Sequence, residues 1–343
     1  MATIPNRIPT THVGSLPRPD DLVPLLLARD KGEAHDADLL VRRTREAVAE
    51  TVGAQAAAGI DFVSDGEMGK ISYVNYVKHR LEGFGEPAPL DWDPADLTGH
   101  PEYKSGRRGT SASGDDPPAC RGPVAPKDLG PLETDIANFR AALDVAGREG
   151  GAFLNAASPG VVAHFMPNRF YPSHEAYVEA LAEALSEEYE AIHAAGFVLQ
   201  IDCPDLAMAL HMAFAGEDLA GFRRAAAFNV EALNHATRNI PPEAIRLHIC
   251  WGNYPGPHTY DVALRDIADI VFRARPRQLL FEAANPAHAH EWEDWAGFDI
   301  PDDMVLVPGV IETTSNRVEH PRLVAQRLLR FARIVGRDRV IAG

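Results

Sequence analysis

A histidine and a cysteine two residues apart, His248 and Cys250, are the pair in this sequence with the clearest capacity for chemistry. They end an apolar run, residues 244–250, that has the character of a buried strand. Side chains two residues apart in a strand point to the same face, so the imidazole and the thiolate can share one metal ion. Zinc accepts both donors in tetrahedral geometry. Without further ligands, however, the pair is more typical of a buried thiol beside a core histidine.

The elements that would position this pair alternate between strands and helices along the whole chain. Strands are predicted at 10–15, 60–64, 152–156, 197–202, 244–250, 278–282, 304–308 and 339–342. Helices are predicted at 36–58, 133–147, 173–195, 218–238, 261–274 and 320–335. This alternation is what an α/β fold of the (β/α)8 (TIM) barrel type requires. An open doubly wound sheet is the alternative, but the sequence has neither a Gly-x-Gly-x-x-Gly motif after a strand nor a P-loop.

A single barrel domain over residues 1–343 is therefore expected, with one inserted excursion. Residues 83–131, after the second predicted strand, are rich in Pro, Gly, Asp and Ser and show little periodicity. Because the alternation of helices and strands resumes beyond them, they are interpreted as an insertion or lid and not as a domain boundary. The last residues form the eighth predicted strand, so we expect the eighth loop and the closing helix of the barrel to lie beyond this sequence.

The active site of a TIM barrel lies at the C-terminal ends of its strands. The predicted strands of this chain end there in polar side chains, whereas a mouth built only for packing would be apolar. These side chains are His12, Ser15, Asp65, Glu67, Asn155, Ser158, Asp202, His248, Cys250, Glu282, Glu312 and Asn316. Glu282 ends the strand next to that of His248 and Cys250, which makes it the predicted third ligand of a zinc ion.

Several of these residues also have a purely structural interpretation. Asp65 and Glu67, in the sequence Asp-Gly-Glu, fit a turn as well as a functional loop. His12 fits a core histidine that bonds a backbone carbonyl. Asp202 and Glu282 are more suggestive of function, because a carboxylate that ends an apolar strand is costly to bury without a partner.

Other polar residues are weaker candidates. Cys203 is a conceivable fourth ligand, but its side chain should point away from that of Asp202 unless the backbone turns there. Trp251 and Asn253 follow the metal pair and are predicted to wall the pocket, although a tryptophan at this position is as often a packing residue. The tract with His288, His290 and Glu291 fits a solvated helical face better than a metal site, and Cys120 is given no role.

Composition restricts the partners. A chain of 343 residues with 45 % hydrophobic content can build a large core. Its 33 basic and 49 acidic residues give a formal charge of −16, which disfavours nucleic acids and anionic membranes and favours a small-molecule partner. Three cysteines at irregular spacing do not form a disulfide framework, and neither a signal peptide nor an apolar run of roughly 20 residues is present. A cytoplasmic location is expected, and a homo-oligomer stays open.

Four motifs, in this order, resemble the cobalamin-independent methionine synthase family, most closely its short single-barrel members similar to methionine synthase II. They are Thr11-His12-Val13-Gly14-Ser15-Leu16-Pro17-Arg18, Asp65-Gly66-Glu67, Gln200-Ile201-Asp202-x-Pro204 and Leu247-His248-Ile249-Cys250-Trp251-Gly252-Asn253. The resemblance covers essentially the whole chain.

The resemblance implies a zinc-dependent S-methyltransferase of methionine biosynthesis, in which a methyl or alkyl group passes to a zinc-bound thiolate. It implies zinc ligands at His248, Cys250 and Glu282, with a second cysteine in a segment just past the eighth strand, and amino-acid contacts at Ser15, Glu67 and Asp202. Zinc deprotonates a thiol whose unperturbed pKa is near 8.5 and leaves it reactive. The catalytic candidates are His12, Asp65, Glu67 and Asp202. The substrate-binding candidates are Ser15, Glu67, Ser158, Asp202, Trp251, Asn253 and Glu312.

Two alternatives to this function stay open. The same zinc thiolate could add to an epoxide, as in the epoxyalkane:coenzyme M transferases that share the resemblance, although a sulfonate substrate would favour cationic contacts over Glu67 and Asp202. A binding protein for a thiol or a corrinoid on the same barrel is the non-enzymatic alternative. Full-length methionine synthases carry a second, N-terminal barrel that this sequence lacks, so the methyl donor is left open.

Overall fold

The computed structural model describes residues 7–102, 116–216 and 218–343. Its regular strands, numbered in chain order, are β1 Leu81–Pro87, β2 Pro118–Pro126, β3 Phe153–Ala157, β4 Val198–Asp202, β5 Ile245–His248, β6 Gln278–Glu282 and β7 Val305–Gly309. Strands β3 to β7 form one parallel sheet in sequential order. Each of these five strands lies within a predicted strand or one residue outside it, because a fully buried parallel strand is a nearly continuous apolar run.

Single bridges and backbone hydrogen bonds continue this sheet into a ring of eight segments. The amide of Phe62 donates to the Thr10 carbonyl at 2.9 Å, which joins the first two segments of the chain. The parallel bridges that complete the ring are Val63 to Ala152, Leu306 to Val340 and Thr10 to Ala342. The predicted TIM barrel is confirmed. The predicted strands at 10–15, 60–64 and 339–342 were too long, because these segments contribute only isolated bridges, one each in the first two and two in the last.

The α-helices are α1 Val23–Lys31, α2 Ala37–Ala57, α3 Gly130–Val145, α4 Pro159–Phe165, α5 His174–Ala194, α6 Leu219–Ala236, α7 Ala268–Val271 and α8 Pro321–Val335. Side-chain caps fix the starts of three long helices, since Asp36, Ser173 and Asp218 each accept a hydrogen bond from a backbone amide in the first turn. No helix of the described ranges is long and apolar enough to cross a membrane. The prediction of a helix at 261–274 was wrong, because only a 3-10 turn and the four residues of α7 are helical there.

The excursion contains a hairpin that the sequence analysis did not predict. Strands β1 and β2 pair antiparallel, with irregularities between Glu82 and Phe84 and between Gly85 and Pro87. Glycine and proline are depleted in strands, and here they hide the alternation that would have indicated a hairpin. Residues 103–115 of the predicted excursion lie outside the described residues, and its use as a lid stays a prediction.

A buried ion network anchors the base of the excursion to two helices. Arg80, 3 % exposed, donates to Glu188 of α5, 2 % exposed, and at 2.7 Å to Asp135 of α3. The hydroxyl of Tyr76 donates to the same Glu188 oxygen at 2.8 Å, and the guanidinium lies 4.5 Å from the Tyr76 ring centre. A charge-assisted network of this kind fixes the chain where it leaves the barrel.

The interior of the barrel is polar at one level. Arg246 of β5 is fully buried, and its guanidinium donates to Thr11 at 3.0 Å, to Gln200 of β4 at 3.3 Å and to Gln278 of β6 at 3.2 Å. Its charge also lies 4.8 Å from the ring centre of Phe153. Burial lowers the pKa of Arg246 to about 9, so the cation is retained at neutral pH. The level above it carries the candidate site.

Candidate active site

Asp202 and His248 lie side by side at the C-terminal ends of β4 and β5, where they are register partners. The Nδ1 atom of His248 is 2.8 Å from Oδ1 of Asp202, and the ring also hydrogen-bonds the Cys250 thiol. Burial opposes the charged ring, but the bonds to Asp202 and Cys250 raise the pKa of His248 to about 10. The strand geometry therefore brings His248 and Cys250 together, with a carboxylate that orients the imidazole.

Asp202 is held by three side chains. Besides His248, Asn155 donates to its Oδ2 atom at 3.0 Å and Gln200 donates to its Oδ1 atom at 3.1 Å. Both amides also donate to the Val13 carbonyl, at 3.0 and 2.7 Å, so the first chain segment lies against them. The Oδ1 atom of Asn155 is buried and has no hydrogen-bond partner among the described residues.

Gly14 permits this close approach, and its replacement is expected to disturb the site. Its φ is 118°, and a Cβ atom there would lie 2.1 Å from Oδ1 of Asn155. We expect Gly14→Ala to lower the free energy of unfolding in denaturant titrations by more than about 2 kcal/mol, since left-handed strain and a clash combine. Gly59→Ala is the matched control, because its φ is 76° and no described atom lies within 4 Å of its Cβ position. Equal losses in the two variants would argue against the contact with Asn155.

The Asp65-Gly66-Glu67 loop forms a second buried part of the site. Glu67, 1 % exposed, has a φ of 56°, a positive value that no other non-glycine residue in the described ranges has. Its amide donates to Asp65 at 2.9 Å, and burial raises the pKa of Asp65 to about 6. Lys70 lies with its Nζ atom 3.4 Å from Oε1 of Glu67 and donates to the Asn155 carbonyl at 2.8 Å. The other Glu67 oxygen, Oε2, is buried and finds no partner in the described part of the chain.

Two basic residues of this region were missed by the sequence analysis. Arg18 donates to the Ser15 hydroxyl at 2.8 Å and to the carbonyls of Glu67 and Lys70, both at 3.0 Å. Ser15 itself is exposed. The sequence positions of both residues could have indicated them, since Arg18 ends the first resemblance motif and Lys70 follows the Asp-Gly-Glu loop.

Glu282 ends β6 on the same side of the barrel, but it is engaged with backbone. Leu280 is the register partner of His248, so Glu282 lies about level with Cys250. Its Oε1 atom accepts from the amides of Ala284 and Asn285 at 2.7 and 2.8 Å. Within the described residues, His248, Cys250 and Glu282 do not bring three donor atoms within 4.8 Å of one another. A common ion would therefore require at least one of these three side chains to reorient, and the ligand set stays a prediction.

Cys203 and Ser158 lie behind this site. Cys203 is buried beside Ser158, and burial raises the pKa of its thiol well above the usual range. Ser158 caps α4 by accepting from the amide of Val161 at 2.9 Å, and its hydroxyl donates to Asp205 at 2.8 Å. These contacts give Ser158 a structural role independent of any substrate.

Both ring nitrogens of His12 are engaged in the framework. The Gly14 amide donates to Nδ1 at 3.1 Å, and Nε2 lies 2.7 Å from Oε1 of Gln55. The tautomer with hydrogen on Nε2 satisfies both contacts. Burial lowers the pKa of His12, so the ring stays neutral and holds the first segment in place.

The remaining predicted contacts lie on or under the loops that follow β5 and β7. Trp251 is 2 % exposed, its indole donates to the Val262 carbonyl at 2.7 Å, and its ring stacks on His288. Asn253 is exposed and accepts from Thr313 at 3.2 Å. Glu312 is partly buried, and although burial opposes it, bonds from Thr314 and Ser315 lower the pKa of Glu312. Trp251 thus occupies a packing position.

The prediction of a solvated face for His288 and Glu291 was wrong, while His290 is exposed as expected. His288 and Glu291 are each 5 % exposed, and they bond one another at 3.1 Å. Glu291 also accepts from the Leu264 amide at 2.7 Å. Spacing alone did not reveal this, because the segment folds inward to meet the loop after β5.

A further buried carboxyl, Asp205, borders a cavity of about 330 Å³ that Trp92, His164 and Phe214 also line. Burial raises the pKa of Asp205 to about 6, even though Ser158 and Asn229 donate to it. An acid whose folded pKa lies above its unfolded value of 3.8 adds stability below about pH 4 and loses it as the pH rises through 6.

A side chain at position 205 that does not ionise should therefore avoid the stability that the parent loses as the pH rises towards neutral. We expect the free energy of unfolding of Asp205→Asn, relative to the parent, to rise by up to about 3 kcal/mol between pH 4 and pH 7. Urea titrations at several pH values measure this difference, which is unaffected by any constant cost of the substitution. The exposed Asp299→Asn is the control. If the free energy of unfolding of Asp205→Asn relative to the parent did not change with pH, the raised pKa of the buried Asp205 carboxyl would be contradicted.

The barrel and the polar residues at the C-terminal ends of its strands define a TIM-barrel protein with a candidate active site at its mouth. Residues 8–90 match the family model described as "Cobalamin-independent synthase, Catalytic domain". A methionine synthase of Saccharolobus islandicus (strain L.S.2.15 / Lassen #1) is 24 % identical over 323 residues, which are 93 % of this chain and 81 % of that protein. A methionine synthase of Pyrococcus furiosus is 24 % identical over 249 residues, 72 % of this chain and 62 % of that protein.

Two solved structures have the same fold. A B12-independent methionine synthase from Shewanella sp. W3-18-1, in complex with selenomethionine, has a TM-score of 0.74 at 18 % identity and covers 98 % of this chain and 90 % of its own. A putative vitamin-B12 independent methionine synthase from Listeria monocytogenes has a TM-score of 0.65 at 17 % identity, with 98 % and 91 % covered. The chain is thus similar in sequence to cobalamin-independent methionine synthases and shares the fold of two of their solved structures, as the motifs predicted. These relatives indicate a methyltransferase enzyme.

Proposed function

We propose that this protein is a zinc-dependent enzyme that transfers a methyl or related alkyl group to a small thiol, with homocysteine as the leading candidate. The observation that carries the proposal is the hydrogen-bonded chain from Asp202 through His248 to Cys250 at the ends of β4 and β5. Metal-ligating histidines usually bond a carboxylate through the second ring nitrogen, which fixes the ring and its tautomer. Asp202, whose own position is fixed by Asn155 and Gln200, has this arrangement.

The residues present fit zinc. Imidazole, thiolate and carboxylate are the donors that zinc accepts, and His248, Cys250 and Glu282 supply one of each. When bound, zinc supplies a Lewis acid that deprotonates a coordinated thiol at neutral pH and leaves it nucleophilic. Within this proposal Asp202 positions the His248 ring, because its carboxylate oxygens bond protein side chains and not the substrate.

The Asp65-Gly66-Glu67 loop supports an amino-acid thiol as the substrate. The Oε2 atom of Glu67 is buried and has no bond to any described residue, and the strained φ of 56° holds the side chain there. A buried carboxylate oxygen without a partner is costly unless a ligand completes it, and a substrate ammonium group would do so. The relative from Shewanella is in complex with selenomethionine, an amino acid that carries such a group. Homocysteine has the same ammonium group, whereas coenzyme M has none.

Glu67→Gln tests this contact separately from the chemistry. We expect it to raise the KM for homocysteine by roughly 10–100-fold, the range for loss of a charge-assisted hydrogen bond, with a smaller change in kcat. A thiol substrate without an ammonium group, 2-mercaptoethanol for example, should show little change. An equal loss of kcat for both thiols would assign Glu67 a role in the reaction and would contradict a role in substrate binding alone.

The function itself is tested with zinc-loaded protein. Candidate methyl donors and epoxides are combined with homocysteine and with coenzyme M, and thioether products are identified by mass. The proposal expects an S-alkylated homocysteine and a change in thiolate absorbance on adding homocysteine. Product formed only from epoxides and coenzyme M would favour the alternative transferase. Fewer than one thiolate-bound metal per chain, or no thiolate change with any thiol, would refute the proposed function.

A further inference from the structure

We propose that Asp96, His211 and Asp261 form a second divalent-cation site, separate from the candidate active site, that fastens the excursion to two loops of the barrel. The three side chains come from different parts of the chain. Asp96 lies in the excursion, in the 3-10 turn Ala95–Leu97. His211 ends the 3-10 turn Met208–His211 after β4, and Asp261 lies in the loop after β5.

The donor atoms are buried and close together. Nδ1 of His211 lies 3.0 Å from Oδ1 of Asp261 and 3.5 Å from Oδ2 of Asp96, and the three side chains are 0 %, 7 % and 0 % exposed, respectively. All three atoms nevertheless lack a well-directed hydrogen bond to any described group. Two ligands about 2.1 Å from one ion, at angles of roughly 90–110°, are themselves about 3.0–3.4 Å apart. Close, poorly directed contacts are therefore the geometry that a shared ion would produce.

The second oxygen of each carboxylate is already bonded by the protein. Oδ1 of Asp96 accepts from the amides of Thr259 and Tyr260 at 2.6 and 3.0 Å. Oδ2 of Asp261 lies 2.9 Å from Nδ1 of His258 and 2.8 Å from Nε2 of His288. Ligating carboxylates are commonly oriented by hydrogen bonds of this kind, which leave one oxygen free to face the ion.

The donor set selects a class of ion. Two carboxylate oxygens and one imidazole nitrogen suit Zn²⁺, Mn²⁺ or Co²⁺ better than Mg²⁺ or Ca²⁺, which prefer oxygen ligands, and water completes the coordination. Within the described residues, the ion pairs of Asp96 and Asp261 are with histidines only, so lysine and arginine do not occupy the position. The Asp96 carboxylate also accepts hydrogen bonds from the backbone amides of Thr259 and Tyr260 in the loop after β5. An ion here would therefore couple the excursion to both loops.

Metal stoichiometry of the full chain tests this proposal. Chelator-treated protein is reloaded with Co²⁺, dialysed and assayed for metal and for thiolate-to-cobalt absorbance. We expect two equivalents in the parent and one in His211→Asn or Asp96→Asn, with the thiolate absorbance retained in both variants. His235→Asn, an exposed histidine paired with Glu183, and Asp91→Asn, an exposed aspartate of the excursion, should keep both equivalents.

The outcomes separate this site from the proposed function. One equivalent in the parent that disappears in Cys250→Ser, with no effect of His211→Asn, would overturn the second site, and the three side chains would then meet without an ion. One equivalent that disappears in His211→Asn, without thiolate absorbance in the parent, would support this site and refute the metal of the proposed function. If His211→Asn does not fold, Asp96→Asn decides through loss of the Mn²⁺-dependent rise in melting temperature that the parent is expected to show.

Discussion

Cys250→Ser is expected to lose bound zinc and to lower the transfer activity by more than about a hundredfold. Loss of a hydrogen-bond partner of a metal ligand typically lowers affinity or activity 10–100-fold, so loss of a direct ligand should exceed that range. Serine keeps the size of the side chain but does not provide a thiolate at neutral pH. Because Cys250 is only half-buried and follows β5, the substitution should leave the fold intact.

Metal content and turnover of Cys250→Ser should fall together, and circular dichroism should be unchanged. Cys120→Ser is the matched control, because Cys120 is buried in the β1–β2 hairpin and its thiol, among the described residues, bonds the Gly122 carbonyl alone, at 3.4 Å, which a serine hydroxyl can also do. Full zinc content and full turnover in Cys250→Ser would refute the assignment of this residue as a ligand.

The largest effect on stability is expected for Glu188→Gln. Among the described residues, this substitution leaves Arg80, which is 3 % exposed, with the partly exposed Asp135 as its one charged partner, and it weakens the bond from Tyr76. Removing one partner of a buried ion pair typically costs about 3–5 kcal/mol, because the remaining charge stays buried without compensation. Urea unfolding should show a loss of this size, and limited proteolysis should show earlier cleavage in the excursion, since Arg80 immediately precedes β1.

Two further variants define the cause. Glu183→Gln changes the same residue type on the exposed face of α5, where Glu183 pairs with His235 and Arg238, and it should leave the stability nearly unchanged. A double replacement, Arg80→Met with Glu188→Leu, removes both charges and should recover most of the loss. A loss in Glu188→Gln no larger than that in Glu183→Gln would show that the buried network contributes little.

The barrel could be predicted from the sequence because its parallel strands are buried on both faces. Strands β3 to β7 are apolar runs with clear ends, and helix α5 has a cap at Ser173 and a stop at Gly196 that mark its limits. The helix predicted at 261–274 does not form over its whole length, because residues from elsewhere in the chain contact this segment. Three histidine rings pair with the Asp261 carboxylate, and the Glu291 side chain accepts a hydrogen bond from the Leu264 amide. Such tertiary contacts override local propensity.

The candidate site was predictable in part for the same reason. Residues at the ends of neighbouring strands must meet, and Asp202 does bond His248 as the strand order implied. Contacts between loops have no such rule, so the engagement of Glu282 by backbone amides and the meeting of Asp96 with His211 could not be inferred from spacing. The inward position of His288 depends on the same loop packing.

Gln200 connects the buried Arg246 in the barrel interior to Asp202 at the C-terminal ends of the strands through hydrogen bonds. It accepts from Arg246 and donates to Asp202, which bonds His248, so three consecutive hydrogen bonds run from the core to the imidazole. Hydrogen bonds in such a chain polarise one another in a low-dielectric interior. A substitution that breaks this chain in the core is consequently expected to change the environment of His248. In a mutational scan, Arg246 and Gln200 should be found among the positions that alter activity, although both side chains lie beneath the site.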